Sequence, residues 1–217
     1  KGFTDNDYFK ELHQLFQRHF HNYGRFNLSV ADSSYDTWLD GYVKGIPHRK
    51  TSIYTEGAMG ALLLDLSIRE ETNSGKSLDD VMRLMNERYG RTSIGYSESD
   101  YLQAVNEVAG TDYAEFFNTY YYGTPDLLPK LEEMLAFVGM GIKDMESNLY
   151  FENRFGFKVN CIAGQSARII DVAPDSIADR MKMKIGDEIF SINGIRINGN
   201  LDKWCNYFRM GSITLTI

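Results

Sequence analysis

The residue pattern changes near position 140, and this change constrains the possible fold more than any other feature of the chain. Before it, apolar residues recur at the three- and four-residue spacing of amphipathic helices; after it, short apolar segments alternate with turn residues. The charge changes at the same place, since residues 1–140 hold 13 Lys and Arg against 21 Asp and Glu, and residues 141–217 hold 10 against 9. We therefore predict an α+β chain of two domains, an all-α domain over 1–140 and a mixed domain over 141–217.

The composition argues against two classes of partner. The net charge is −7, and the basic residues form no cluster or stripe of the kind that neutralises nucleic-acid phosphates. The longest apolar run, residues 58–64, is far shorter than the roughly 20 residues that span a bilayer. We therefore expect no nucleic-acid and no membrane partner, and the compartment stays open. Cys161 and Cys205 are expected to be buried free thiols.

Helix signals recur along the first domain. Residues 5–22 carry apolar groups at helical spacing, with Thr4 or Asp5 as the N-cap. Residues 54–70 are apolar on almost every side, which is typical of a helix buried in a core. Two Ser-x-x-Asp stretches indicate capping boxes at the starts of further helices, namely residues 77–80 and 97–100. The remaining predicted helices are residues 112–121 and 131–138.

Two predictions concern less regular parts of the first domain. Residues 23–34 are predicted to form a loop, and Trp38 and Tyr42 to share one face of a short helix. The histidines of the first helix form no i, i+4 pair, so we predict that they are exposed or partly packed rather than metal ligands; they are His13, His19 and His21.

Strands and short helices are predicted in the second domain. The strand-like runs are residues 155–159, 167–172, 188–192 and 212–217, and the helical runs are residues 176–181 and 201–208. Asn193-Gly194 indicates a hairpin turn between two of these segments.

Three motifs in the second domain resemble those of PDZ domains. They are Arg-Phe-Gly-Phe at 154–157, Val-Ala-Pro-Asp-Ser-Ile-Ala at 172–178, and Lys-Ile-Gly-Asp-Glu-Ile at 184–189 followed by Ile-Asn-Gly at 192–194. The resemblance implies a PDZ-like β-sandwich or barrel with two helices over roughly residues 145–217.

The PDZ resemblance implies a groove that binds peptides. Arg154, Phe155, Gly156 and Phe157 would form a loop whose backbone N–H groups cradle a terminal carboxylate. The peptide would add as a strand between the strand after Phe157 and the helix that begins at Leu201. Its source would be a peptide or protein C-terminus, or the protein's own N-terminal catalytic domain. The alternative stays open that Phe155 and Phe157 only pack in the core and that the groove binds nothing.

Four stretches of the first domain resemble the glycyl aminopeptidase family of zinc metallopeptidases. They are Ser-Ser-Tyr-Asp-Thr-Trp at 33–38, Tyr-Thr-Glu-Gly-Ala at 54–58 with its continuation to Arg69, Ser-Leu-Asp-Asp-Val-Met at 77–82, and the segment 116–124. The resemblance implies that residues 1–140 are the helical C-terminal part of a thermolysin-like peptidase domain. It also implies that the parent protein removes N-terminal residues, such as glycine or alanine, from peptides.

The family's chemistry depends on zinc, held by a His-Glu-x-x-His helix and a downstream Glu. This chain has four histidines and no such motif. We therefore expect zinc in the parent protein, no cofactor in this chain, and a C-terminal fragment that is inactive alone. The opening Lys1-Gly2-Phe3-Thr4 resembles the stretch that follows the third ligand; an alternative alignment places Lys1 on that ligand itself.

Tyr54 is the one catalytic residue that the resemblance assigns. It matches the tyrosine of a Tyr-x-Lys-Gly motif, whose phenol would stabilise the oxyanion of the tetrahedral intermediate. Glu56 stands where the family has Lys, and an acid that faced the site would oppose catalysis. The alternative is that Tyr54 is a packed tyrosine at a helix start. A rival function for the whole chain is a non-catalytic module that binds C-terminal peptides in the PDZ groove.

Overall fold

The computed structural model describes residues 4–40, 46–92 and 94–217. The chain divides into two compact units, residues 1–142 and 143–217. The first unit is helical, and the second combines small antiparallel sheets with short helices, so the α+β prediction is confirmed. In the described ranges, no helix is both long and apolar enough to cross a bilayer.

Seven α-helices and two irregular turns are described in the first unit. The helices are α1 (Asp5–Phe20), α2 (Val30–Asp40), α3 (Ile53–Glu71), α4 (Leu78–Met85), α5 (Glu98–Ala109), α6 (Ala114–Tyr120) and α7 (Leu128–Phe137). A 3₁₀ turn covers Tyr23–Phe26, and a π turn covers Asn86–Gly90.

The predicted capping boxes are confirmed. Thr4 caps α1, since its hydroxyl accepts the Asp7 N–H at 3.2 Å while the Asp7 carboxylate accepts the Thr4 N–H at 3.1 Å. Ser77 with Asp80 and Ser97 with Asp100 repeat this arrangement at α4 and α5. Each box satisfies two backbone donors that a helix start leaves without an intrahelical partner.

The prediction of a loop over residues 23–34 is wrong. The Asn22 side chain accepts the Gly24 N–H at 3.0 Å and begins the 3₁₀ turn, and the Ser29 hydroxyl accepts the Asp32 N–H at 3.0 Å and begins α2. Ser29-x-x-Asp32 is a further capping signal, which the polar residues around it obscured. Trp38 lies exposed on α2. Tyr42 lies outside the described residues.

Helix α3 is the centre of the first unit. Leu64 and Ile68 on one side contribute to a core with α4 and α5, and Met59 and Leu63 on another contribute to a core with α7. This explains why the helix is apolar on almost every side, as predicted. Gly60 provides close approach, because a Cβ added there would lie 3.0 Å from the Tyr121 ring.

Two three-stranded antiparallel sheets form the second unit. Their strands are β1 (Phe157–Cys161), β2 (Ala167–Val172), β3 (Glu188–Ile189), β4 (Ser191–Ile192), β5 (Ile195–Arg196) and β6 (Leu215–Thr216), in the orders β1-β2-β3 and β5-β4-β6. The helices are α8 (Tyr150–Phe155), α9 (Ile177–Arg180) and α10 (Leu201–Tyr207). The hairpin predicted at Asn193-Gly194 is confirmed, with both residues at positive φ between β4 and β5.

Two strand predictions in the second unit need correction. The run 188–192 is two strands rather than one, because Phe190 leaves the first sheet and joins the second by donating its N–H to the Thr216 carbonyl at 2.8 Å. The run 155–159 begins as a strand only at Phe157, because residues 150–155 form α8.

Candidate functional site

The predicted carboxylate-binding loop has a different backbone shape in the structure. Residues 150–155 are α8, and Gly156 is its C-cap at φ +77°. The Gly156 N–H donates to the Glu152 carbonyl at 3.0 Å, so it is already bonded within the helix end. Carboxylate binding by the backbone N–H groups of residues 154–157 stays a prediction. A glycine that ends a helix in the left-handed region carries the same sequence signal as a glycine in an anion-binding loop.

The side chains predicted to contact the peptide differ in burial. Phe157 and Leu201 are each 1% exposed and belong to the core of the second unit. Phe155 is partly buried and stacks on Phe157 with ring centroids 6.3 Å apart. Arg154 is exposed on α8. Of the predicted set, the structure leaves the Arg154 side chain available to a ligand and uses Phe157 and Leu201 for packing.

Strand β1 keeps the feature that peptide addition requires. It is the outer strand of its sheet, and within the described part of the chain it pairs with β2 alone. The backbone groups on its other edge can therefore accept a further strand. Helix α10 begins next to the turn after β1, since a Cβ added at Gly199 would lie 2.9 Å from the Ala163 Cα. The structure thus places the turn after β1 next to Gly199, two residues before α10, and a peptide groove between β1 and α10 stays a prediction.

Tyr54 lies on the first turn of α3 in the first unit. Its side chain is 67% exposed, so the alternative of a packed tyrosine does not hold. Ser52 caps the helix by accepting the Thr55 N–H at 3.3 Å, which fixes the turn that carries the phenol. The catalytic role of Tyr54 remains a prediction.

Glu56, two residues further along α3, points into the protein. It is 5% exposed, and its Oε2 lies 2.7 Å from Nδ1 of His19, which is 1% exposed. The prediction that His19 is exposed or partly packed is therefore wrong. The sequence did hold a signal, because His19 follows Leu12 and Phe16 at the spacing of the buried face of α1. Because its carboxylate is engaged inside, Glu56 does not share the exposed position of Tyr54.

The residues present do not fit a zinc ion. In the ranges that the structure describes, no group of three or more His, Cys, Asp or Glu side chains could hold a metal. His19 faces Glu56 with one ring nitrogen, and His13 lies exposed on α1.

Comparison with known proteins relates each unit to a family. Residues 1–59, which include Tyr54, match the family model for M61 glycyl aminopeptidase, and residues 168–217 match the model for the PDZ domain. No curated protein matches the chain.

A solved structure with a similar fold is known. It is the crystal structure of an aminopeptidase N family protein from Idiomarina loihiensis, which is 24% identical with a TM-score of 0.72. The alignment covers 88% of this chain and 34% of that protein, so this chain spans about a third of its length. Taken with the two family matches, which occur in the order that the sequence motifs predict, this likeness accounts for both units. The chain is therefore similar to the M61 glycyl aminopeptidase family over residues 1–59 and to the PDZ domain over residues 168–217.

Proposed function

We propose that the chain is the helical and peptide-docking part of a metallo-aminopeptidase that removes N-terminal residues, with glycine or alanine as the expected residues. The observation that carries this proposal is the exposed phenol of Tyr54 on a capped helix start, inside the segment that matches the M61 model. The metal ligands would come from outside residues 1–217, because the described side chains do not fit zinc.

Tyr54 would act as a hydrogen-bond donor in this reaction. Its neutral O–H would donate to the oxygen on which negative charge develops as the peptide carbonyl becomes tetrahedral. A donor held on a capped helix turn needs little reorganisation during the reaction, which is the condition under which such a bond lowers a barrier. Glu56 would not oppose this charge at close range, since its carboxylate bonds to His19 in the interior.

The test is a kinetic comparison in the longest natural form of the protein that contains this chain. Tyr54→Phe should lower kcat for glycyl- and alanyl-p-nitroanilide by roughly 10²–10³-fold with little change in KM. Tyr35→Phe is the matched control, because Tyr35 is another tyrosine, 74% exposed and helical. Equal kcat values for the two variants would refute the role of Tyr54, and absence of hydrolysis by the unaltered protein would refute the peptidase proposal.

The second candidate function is a non-catalytic module that binds peptide C-termini. The observation that favours it is the outer position of β1 beside α10, with Arg154 exposed on the adjoining helix. A peptide strand would bond to the β1 backbone, and the Arg154 guanidinium would attract its terminal carboxylate.

Fluorescence anisotropy with a library of labelled decapeptides tests this second candidate. Binding should require a free C-terminal carboxylate and should weaken roughly 10- to 150-fold in Arg154→Ala, since a charged hydrogen bond contributes about 1.5–3 kcal/mol. Arg209→Ala is the control, because Arg209 is also exposed in the second unit. Equal affinity for carboxylate and amide peptides would exclude carboxylate recognition.

A further inference from the structure

Three buried polar atoms belong to side chains that line one cavity in the first unit. They are His19 Nε2, Arg25 Nε and Glu56 Oε1, and none of them has a hydrogen-bond partner among the residues described. The three side chains border the same cavity, which has a volume of about 20 Å³. Buried polar groups in folded proteins nearly always have partners, because a group without one loses its hydration and gains nothing in return. The presence of three such side chains around one cavity therefore indicates a ligand site.

Other bonds hold each of the three side chains in place. His19 Nδ1 lies 2.7 Å from Glu56 Oε2, which joins the end of α1 to the first turns of α3. The Arg25 guanidinium donates through one terminal nitrogen to the carbonyls of Phe20 at 2.9 Å and Asn22 at 3.0 Å. It also lies over the Phe26 ring, 4.1 Å from the centroid. These contacts hold each side chain in place, and each side chain keeps one polar atom without a partner among the described residues.

The donors and acceptors around the cavity identify its occupant. With Glu56 ionised and the imidazole neutral, the His19 Nδ1 carries the proton in the bond to Glu56, and Nε2 is an acceptor. Glu56 Oε1 is a second acceptor, and Arg25 Nε is a donor. The site thus fits a ligand that donates two hydrogen bonds and accepts one. Water does both, whereas an ammonium ion has no lone pair to accept from Arg25, and an anion would be repelled by the Glu56 carboxylate.

Charge and volume agree with this assignment. The negative charge of Glu56 and the positive charge of Arg25 offset each other, so the site favours a neutral ligand. Burial lowers the pKa of Arg25, and nearby Asp126 and Glu56 act to raise it, but a guanidinium keeps its proton in proteins. A cavity needs about 10–15 Å³ to admit a water molecule, and this one is large enough for a single water.

We propose that His19, Arg25 and Glu56 form a site for one water molecule, which links the end of α1 and the 3₁₀ turn to the start of α3. This site is independent of the proposed peptidase and peptide-binding functions. It also gives a physical reason for an acid at position 56, since a lysine there would place a second cation beside Arg25 and remove both acceptors that Glu56 supplies.

The protonation of His19 in the unaltered full chain is the first test. Long-range ¹⁵N–¹H NMR at neutral pH should show a neutral imidazole with the proton on Nδ1, and a high-resolution crystal structure should show one water within hydrogen-bond distance of the three atoms. His13→Gln, at an exposed position, helps to assign the signals. A proton on Nε2 at neutral pH, or no water at the site, would overturn the proposal.

A double-mutant cycle tests the coupling of the site in the same full chain. His19→Leu and Glu56→Leu should each lower the urea midpoint more than the double variant does, because each single change leaves a buried partner and the water unsatisfied. His13→Leu with Glu70→Leu is the matched control on the same two helices, where both side chains are exposed and the effects should add. Additive effects at positions 19 and 56 would contradict a shared site. If these variants do not fold, the imidazole measurement still decides.

Discussion

Glycines with the same backbone conformation carry different constraints in this chain. Gly156 and Gly164 both have φ near +80°, a region that side chains with a Cβ rarely adopt. A Cβ at Gly156 would lie 2.4 Å from the Ser176 Cβ, whereas the nearest atom at Gly164 would be 4.0 Å away. Comparing alanine substitutions at the two positions therefore distinguishes the cost of backbone strain from the cost of a steric clash.

We predict that Gly156→Ala destabilises the second unit more than Gly164→Ala does. Strain at φ > 0 is common to both variants and costs on the order of 1 kcal/mol, while only Gly156→Ala adds the clash with Ser176. Urea unfolding monitored by Trp204 fluorescence in a Trp38→Phe background measures both. Equal losses would show that the α8 end can shift away from Ser176.

The two cysteines should differ in reactivity. The prediction of buried free thiols is confirmed for Cys205 and wrong for Cys161, which is exposed. The pKa of Cys205 is raised to about 12, chiefly by burial. We predict that a thiol reagent modifies one cysteine per native chain and two per unfolded chain. Burial also raises the pKa of Cys161. The rate at which the reagent modifies Cys161 should therefore still increase with pH above 9, because the thiolate is the reactive form. Cys161→Ser should abolish the native-state reaction, and a persistent reaction would place the accessible thiol at Cys205.

At the scale of the helix, the capping boxes were the most readable signals in the sequence. Their geometry depends on residues three apart, so local sequence is sufficient to define them. The carboxylates of these boxes also share a lowered pKa, because each accepts hydrogen bonds from its neighbouring N-cap residue. Hydrogen bonds from the N-cap residue lower the pKa of Asp7, Asp80 and Asp100.

Ser97→Ala tests the cap of α5 and its pH dependence. The Ser97 hydroxyl and N–H lower the pKa of Asp100, so the folded value lies below the unfolded one. The stabilisation is therefore present above the unfolded pKa and is lost as the pH falls through the folded pKa. We predict that Ser97→Ala raises the pKa of Asp100 and costs about 1 kcal/mol through loss of the cap. Carboxyl ¹³C titration measures this, with Asp7 and Asp80 as controls in the same sample; an unchanged Asp100 would exclude the serine as the cause.

Strand boundaries were harder to predict than helix starts. Residues 188–192 alternate like one strand, yet the structure divides them at Phe190 between two sheets. The partners that decide this division are distant in sequence, since Phe190 bonds to Thr216. Likewise, the Arg154–Phe157 motif lies at the end of a helix rather than in a loop. The sequence could not distinguish the two, because a glycine at positive φ fits both structures.

At the scale of the whole molecule, each unit has hydrophobic clusters of its own. Leu64 is fully buried in the first unit, and Ile189 is fully buried in the second. Removing such a side chain costs about 2–5 kcal/mol, and the loss falls on the structure that shares the core.

We predict that core substitutions act on one unit at a time. Leu64→Ala should leave the unfolding transition reported by Trp204 unchanged, whereas Ile189→Ala should lower it, since Trp204 packs on the core that holds Ile189. Denaturant unfolding of the full chain, followed by Trp204 fluorescence in a Trp38→Phe background, makes the comparison. A lowered Trp204 transition in Leu64→Ala would show that the two units unfold together.

The sequence by itself determined the features that depend on near neighbours and on recurrent motifs: the α+β class, the capping boxes, the core position of α3, the hairpin at Asn193-Gly194 and the family resemblance. Tertiary structure alone decided which side chains meet across long separations. It buried His19 against Glu56, which is 37 positions away, and it turned Phe157 and Leu201 into the core while leaving Tyr54 exposed. The reason is that burial and ion pairing depend on which helices and strands pack together, and no local pattern specifies that packing.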